Sequence, residues 1–413
     1  MSKCLICGAE ITPFMSFGRM PIANGFLTEN DFDQEYFFDL QVGFCPDCAM
    51  VQLTELVDPE KLFHDQYAYF SSMSVHMAQH FSLFAQTVRE RYLPGTDPLV
   101  VEIGSNDGIL LRHFANAGIR HVGVEPSANV AEAGRAHGIN TIVRFFNEET
   151  AEEVFNNHGP ADVLLGANVI CHLPNIHSVM RGVQTLLSDK GVFIFEEPYL
   201  GDIIQKNSYD QIYDEHYFYF SLHSLQNLFK QYEMEIVDVM PQSVHGGSMR
   251  YVVARRGTWP VQPIVSEYFQ HEIELGLTEA STYELFKQRV HQSREELRDL
   301  LTDLRRSGKR VVAYGATSKS TTVTNFCDIG PDLIEYISDT TPGKHGKYSP
   351  GVHIPVVPHE HFSQDQSDYA LLFAWNHGEE IIAKEQVFQE QGGRFIVYVP
   401  SVTVLDHVEE ATV

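Results

Sequence analysis

Basic residues are scarce in this 413-residue chain: 29 Lys and Arg stand against 55 Asp and Glu, a net charge of −26. The acidic excess is spread along the chain rather than gathered in a tail, so it repels nucleic-acid phosphates and no nucleic-acid partner is expected. An anionic small molecule remains possible, because a few local cations or helix N-termini can reverse the field inside one cleft. Long apolar runs are also missing. No window reaches the roughly 18 apolar residues of a membrane span, and the start, Met1-Ser2-Lys3-Cys4, has no charged stretch leading into an apolar one, so the expectation is a cytoplasmic protein with no membrane partner. Cysteine is rare, six in all, which excludes a disulfide framework. Low-complexity segments and short-period repeats are absent. What remains is a globular composition, 43% hydrophobic and 20% charged, in a chain too long for one ordinary core, so two or three domains are expected. With its clefts built within one chain, a monomer is the expected state.

Four of the six cysteines form two Cys-x-x-Cys pairs, Cys4-Leu5-Ile6-Cys7-Gly8 and Cys45-Pro46-Asp47-Cys48-Ala49. Two such pairs supply four thiolates at tetrahedral geometry, and the long loop between them closes easily because closure entropy rises slowly with length. Four cysteines leave no open coordination position, so a structural zinc ion is expected on Cys4, Cys7, Cys45 and Cys48. Buried or redox cysteines are the alternative. Cys171 and Cys327 stand alone and read as core residues.

Beyond residue 75, Met77, Phe81, Phe84 and Val88 recur at helical spacing. From Pro98 short apolar runs alternate with helical ones: Leu99–Ile103, Val122–Val124, Ile142–Phe145, Val163–Leu165 and Val192–Phe195. This alternation predicts a parallel sheet wrapped by helices, with Glu235–Val239 and Met249–Ala254 completing it as an antiparallel edge. Leu285, Phe286, Val290, Leu297, Leu300, Leu301 and Leu304 follow a helical stripe that ends at Ser307-Gly308. A second alternating series, Arg310–Tyr314, Ile334–Ser338, Tyr369–Ala374 and Arg394–Val399, predicts another α/β domain. The expected division is a zinc module over 1–75, an α/β domain over 76–260, a helical linker over 261–308 and a Rossmann-like domain over 309–413.

The strand Leu99–Ile103 carries Glu102 and runs into Gly104-Ser105-Asn106-Asp107-Gly108, where glycine lets the backbone approach a ligand closely. The next strand ends in Glu125, placed to accept from ribose hydroxyls. The same carboxylate would serve a dinucleotide, but the loop lacks the Gly-x-Gly-x-x-Gly fingerprint and offers polar groups suited to a zwitterionic amino acid. S-adenosylmethionine is therefore the expected cofactor, held by Glu102, Gly104, Ser105, Asn106, Asp107 and Glu125. Asn168, past a later strand, lies on the same edge.

Within Gln211-Ile212-Tyr213-Asp214-Glu215-His216, His216 can take a proton at neutral pH, Tyr213 can donate to a developing oxyanion, and Glu215 or Asp214 can orient the imidazole. Tyr213 and His216 share a face if the segment is helical. With 20 His and 18 Tyr in the chain, packing is the competing reading for these and for His172 and Tyr67.

Together these residues resemble the sugar C-methyltransferases of deoxysugar pathways. The resemblance runs along essentially the whole chain. It includes the paired Cys-x-x-Cys, Tyr67-x-x-Phe70-Ser71-Ser72, Val101–Gly108, Asn168 with His172, and Tyr213-Asp214-Glu215-His216. It continues through His245–Arg250, Tyr314-Gly315-Ala316 with Lys319, and Asp339-x-x-Pro342-x-Lys344. It implies a class I methyltransferase (Rossmann-like) domain between the zinc module and a Rossmann-like C-terminal domain. The implied substrate is a 4-keto-deoxyhexose on dTDP or a similar nucleoside diphosphate, methylated at C-3. His216 is then the base, assisted by Tyr213, Glu215, His172 and Tyr67, with Asn168 a cofactor contact and Ser71, His245 and Lys319 near substrate. In one place the sequence departs from the family: Gly315–Thr321 is rich in hydroxyls where a Gly usually follows the Lys. An O- or N-methyltransferase on a related small molecule is the alternative.

Overall fold

The computed structural model describes residues 2–63, 71, 75–93 and 95–405. Three sheets carry the chain. The zinc module contributes β1 (Thr12–Pro21), β2 (Phe37–Phe44) and β3 (Val51–Leu53), paired antiparallel in that order. In β2, Phe38, Leu40 and Val42 point inward while Asp39 is exposed and Gln41 half-buried, the period-two pattern of a strand with one covered face.

The middle sheet begins with β4 (Leu99–Ile103), β5 (Arg120–Val124), β6 (Thr141–Ile142), β7 (Ala161–Ala167) and β8 (Leu187–Pro198), all parallel. Every residue of β4 is buried, as expected of a strand covered by helices on both faces. The chain then leaves this sheet: β9 (Phe218–Tyr219) pairs with β3 and becomes the fourth strand of the zinc module's sheet. It returns as β10 (Met234–Gln242) and β11 (Ser248–Arg255), giving the order β10-β11-β8-β7-β4-β5-β6.

The expected antiparallel edge is corrected in detail. Only β11 runs against the others, inserted between β8 and β10, so the edge strand β10 points the same way as the parallel five. The reason lies in burial: β11 is buried from Ser248 to Ala254 and needs a neighbour on each side, whereas β10 carries Glu235 and the exposed Pro241 and suits an edge. The run expected over 142–145 is strand only at Thr141–Ile142.

Helices Pro263–Glu274 and Ala280–Arg306 follow. In the second, Tyr283, Phe286, Val290, Leu297 and Leu301 are buried, but Leu285, expected on that stripe, is 55% exposed. Gly308, at φ +75°, ends the helix in the left-handed region.

The last sheet holds β12 (Val311–Tyr314), β13 (Ile337–Asp339), β14 (Val356–Pro358), β15 (Tyr369–Leu372), β16 (Arg394–Val397) and β17 (Thr403–Leu405), ordered β14-β13-β12-β15-β16-β17. All pairs are parallel except β16 with β17. One hydrophobic core runs through all parts: Phe14 and Phe44 pack on Tyr283, with ring centroids 5.1 and 4.6 Å away, and Phe17 meets Phe326 edge-on at 4.9 Å. Among the described residues no helix is long and apolar enough to cross a membrane.

Candidate active site and zinc centre

The two Cys-x-x-Cys segments fold into the same knuckle. Cys4 N donates to Ala9 O at 2.8 Å while Gly8 N donates to Cys4 O at 2.9 Å; Cys45 N donates to Met50 O at 2.8 Å and Ala49 N to Cys45 O at 2.9 Å. Gly8 and Ala49 both take positive φ, +76° and +60°, which turns the chain back over its cysteines. The sulfurs of Cys4 and Cys48 lie 3.5 Å apart, as do those of Cys7 and Cys45, and all four fall within 4.8 Å of one another. No pair is bonded. Sulfurs around a tetrahedral zinc with Zn–S of about 2.3 Å sit about 3.8 Å apart, so the set fits zinc. Four thiolates so crowded need a cation among them. With four sulfur ligands the zinc is structural.

The C-terminal edge of the parallel strands forms the second site. Gly104 takes φ +66°, and a Cβ there would lie 2.5 Å from Val169 Cγ2, so the loop requires glycine. Glu125 clamps the loop: its Oε2 accepts from Asn106 N at 3.0 Å and its Oε1 from Ser127 N at 2.9 Å. Asn106 and Asn168 both occupy the left-handed region, at φ +47° and +51°. Glu102 is buried with Oε2 unpartnered, and burial, reinforced by Glu125 and Asp107, holds its carboxyl well above the usual range. Three clustered acidic groups disfavour a pyrophosphate and favour a ligand with an ammonium and a sulfonium. S-adenosylmethionine fits this edge. The Ser105 hydroxyl packs against Gly123 of β5, where a Cβ would lie 2.4 Å from Oγ; this side chain fits the loop to the sheet. Ser71 N donates to Asn106 Oδ1 at 3.0 Å, which places Ser71 against this loop.

Asn168 leads into the short 3-10 turn Ile170–His172. Its first N–H groups converge on Glu197 at the end of β8, whose Oε1 accepts from Val169 N at 3.0 Å, Ile170 N at 2.6 Å and Cys171 N at 3.4 Å. His172 stacks between Phe63 and His216, with ring centroids 5.5 and 5.2 Å away. Its Nε2 is buried and unpartnered, and burial lowers its pKa to about 3.

Tyr213 and His216 stand on a turn rather than a helix, closed by His216 N donating to Tyr213 O at 3.1 Å. The i, i+3 spacing still brings them together: Tyr213 OH lies 2.8 Å from His216 Nε2. His216 Nδ1 lies 2.9 Å from Gln211 O. A carbonyl only accepts, so Nδ1 carries the proton, and Nε2 presents a lone pair that accepts from Tyr213. Burial, with help from His172 and Lys319, holds His216 well below its ordinary pKa, so the imidazole is neutral at pH 7.

The expectation that Asp214 or Glu215 orients this ring is corrected, because the Gln211 carbonyl already occupies Nδ1. Asp214 Oδ1 accepts from Ala23 N at 2.9 Å and Glu215 Oε1 from Asn24 Nδ2 at 2.7 Å, both in the zinc module. Tyr67 lies outside the described residues.

Lys319 and His245 meet beside this turn. Lys319 Nζ donates to Asn376 Oδ1 at 3.1 Å and His245 O at 3.4 Å, and sits 5.0 Å over the Trp375 ring. The Gln211 amide also donates to His245 O, which links this pair to the residue that orients His216. The hydroxyls around Lys319 have structural work: Thr321 Oγ1 donates to Ala23 O and Thr322 Oγ1 to Ile212 O, each at 2.8 Å. Sequence reasoning missed Glu197, and also Glu196, which is buried against His80 at 2.7 Å and Arg250 at 2.7 Å. Two acids closing β8 on the same edge as Glu102 were the available signal.

Three family models cover the chain in order: a zinc binding domain over residues 4–63, a methyltransferase domain over 76–239 and a C-methyltransferase C-terminal domain over 243–400. C-methyltransferase NovU of Streptomyces niveus is 37% identical over 408 residues, 98% of this chain and 97% of that one. The chain belongs to this C-methyltransferase family. A ubiquinone biosynthesis O-methyltransferase of Colwellia psychrerythraea shares 27% identity over 101 residues, 24% of this chain and 41% of its own. Among solved structures, an S-adenosylmethionine-dependent methyltransferase of Anabaena variabilis overlaps with a TM-score of 0.35 at 17% identity, over 43% of this chain and 85% of its own. A C-methyltransferase must create a carbon nucleophile next to the sulfonium, a task that calls for a base.

Proposed function

We propose that this C-methyltransferase acts at C-3 of a 4-keto-deoxyhexose linked to a nucleoside diphosphate, dTDP being the expected nucleotide, in the biosynthesis of branched deoxysugars. The observation that carries the reading is the fixed tautomer of His216, a neutral base with its lone pair on Nε2. His216 Nε2 takes the proton from C-3, and the C–H electron pair moves onto the ketone as an enolate. Tyr213, released from Nε2 as substrate enters, donates to the enolate oxygen, with the Lys319 ammonium nearby. Bound S-adenosylmethionine supplies an electrophilic methyl group on sulfur. The enolate carbon forms the new C–C bond, the thioether leaves as S-adenosylhomocysteine, and the His216 proton passes to solvent.

Glu102, Gly104, Asn106, Asp107, Glu125 and Asn168 hold the cofactor in this reading; Glu215 and His172 flank the base, the family resemblance adds Tyr67 as an assisting group, and Ser71, His245 and Lys319 are assigned to the substrate. A monomeric working unit is part of this proposal. The test is deuterium exchange at C-3 of a dTDP-4-keto-2,6-dideoxyhexose in D₂O, for wild type and His216→Asn, with and without S-adenosylmethionine. Exchange and a carbon-bound methyl in the wild type, both lost in the variant, are expected. A methyl on oxygen or nitrogen, or full activity of the variant, overturns the reading.

A further inference from the structure

Three parts of the chain meet at the Tyr213–His216 turn, and the zinc module holds it from both ends. On the near side, the loop between β1 and β2 enters the junction. Ala23 N donates to Asp214 Oδ1 at 2.9 Å, and Asn24 Nδ2 donates to Glu215 Oε1 at 2.7 Å. The loop is pinned in turn by the C-terminal domain, through Thr321 Oγ1 to Ala23 O at 2.8 Å and through Lys344, 4.8 Å over the Phe26 ring and donating to Ala316 O at 2.6 Å. On the far side the chain runs from His216 directly into the module's sheet. Leu53 N donates to Tyr217 O at 2.9 Å, Tyr217 OH donates to Val57 O at 2.7 Å, and β9 pairs with β3, which begins just after Cys48.

Knuckle, strand and turn are therefore joined in succession by pairing and hydrogen bonds, and among the described residues Asn24 is a side chain of the module that bonds an acidic group of the turn. Glu215 is 4% exposed, so loss of a hydrogen bond there would not be made good by bulk water. We propose that Asn24, delivered by the zinc module, is a positioning residue for methyl transfer, fixing the Glu215 carboxylate and with it the turn that carries Tyr213 and His216. This rests on the reading of that turn as the reaction centre. An amide suits the task better than a cation, because it orients the carboxylate without neutralising it. Burial pushes Glu215 up to about 7, and the Asn24 hydrogen bond and the Lys344 ammonium oppose the rise; Asp214, Tyr217 and Cys171 are the other titratable groups around it.

The test compares zinc-loaded Asn24→Ala and Asn24→Asp with the full-length wild type, reading kcat and KM for the keto-sugar, the pH profile of kcat, zinc content and S-adenosylmethionine affinity. Expected are a kcat loss of about 10- to 100-fold with KM little changed, and an acidic limb moved up by about one pH unit, with zinc and cofactor binding at wild-type levels. Asp is nearly isosteric with Asn but opposes a second carboxylate to Glu215, so Asn24→Asp is expected to be the slower of the two. Wild-type kcat and profile in Asn24→Asp overturn the proposal, as does loss of zinc or cofactor in both variants, which would assign Asn24 to folding. His216→Asn run alongside separates the two ideas: activity retained there sinks the reading of the turn, whereas an inactive His216→Asn beside a fully active Asn24→Asp sinks the positioning role alone.

Discussion

At the scale of single residues, Gly104 shows how much of the cofactor site is settled locally. Its φ of +66° is costly for any side chain, and a Cβ would press on Val169 at 2.5 and 2.9 Å, just before the turn that carries His172. Gly104→Ala should lower stability by about 2 kcal/mol and weaken S-adenosylmethionine binding by about tenfold or more. Thermal melts with and without cofactor, beside calorimetric titration, check this; an unchanged affinity would mean the loop does not approach the ligand. The strand, glycine and acid of this loop follow one another in the chain and could be read directly. The orientation of His216 could not, since it depends on a main-chain oxygen at Gln211, and a backbone carbonyl leaves no residue-type signature.

At the scale of elements, the segment Asn168–His172 is a short non-regular connection held in place by one acid from the neighbouring strand. Three N–H groups point at Glu197 Oε1, and burial pushes this carboxyl up to about 7. Glu197→Ala leaves those donors unpartnered inside the protein, and about 3 kcal/mol of stability should be lost, together with cofactor affinity through displacement of Asn168. Glu197→Gln keeps the acceptor oxygen and should recover most of both. Denaturant unfolding and cofactor titration of the two variants decide the point, and equal behaviour of Ala and Gln would show that the acceptor does not organise the turn. The regular elements were largely legible because their periodicities are local. The place of β11 between β8 and β10 was not, because sheet order follows from which strand must be covered on both sides.

At the scale of the whole molecule, the junction of the three sheets buries charge-capable groups that no single domain would leave dry. Asp214 is pushed up to about 8, first by burial and then by Glu215, with its Oδ2 unpartnered. A carboxyl whose folded pKa lies above its unfolded value takes up a proton on folding. Its contribution to stability is complete below the unfolded pKa near 4 and is lost as pH rises through the folded value near 8. His172 runs the other way, its pKa lowered to about 3 by burial, so its contribution is present above about 6.5 and lost as pH falls. Asp214→Asn removes only the first term. Across pH 5 to 8 the melting temperature of the variant should therefore fall less, or rise more, than that of wild type. Parallel curves for the two proteins would show that Asp214 ionises normally.

The sequence by itself pointed to the four cysteines, to the Gly104–Gly108 loop with Glu102 and Glu125, to the alternation of strands and helices, and to a meeting of Tyr213 with His216, because each rests on a motif or spacing only a few residues long. Tertiary structure alone decided that β9 joins the zinc module's sheet, that Gln211 fixes the imidazole, and that Asn24 meets Glu215 across 191 residues. Such contacts follow from how buried faces of separate elements are covered, and that is a property of the packed whole, which no local window of sequence contains.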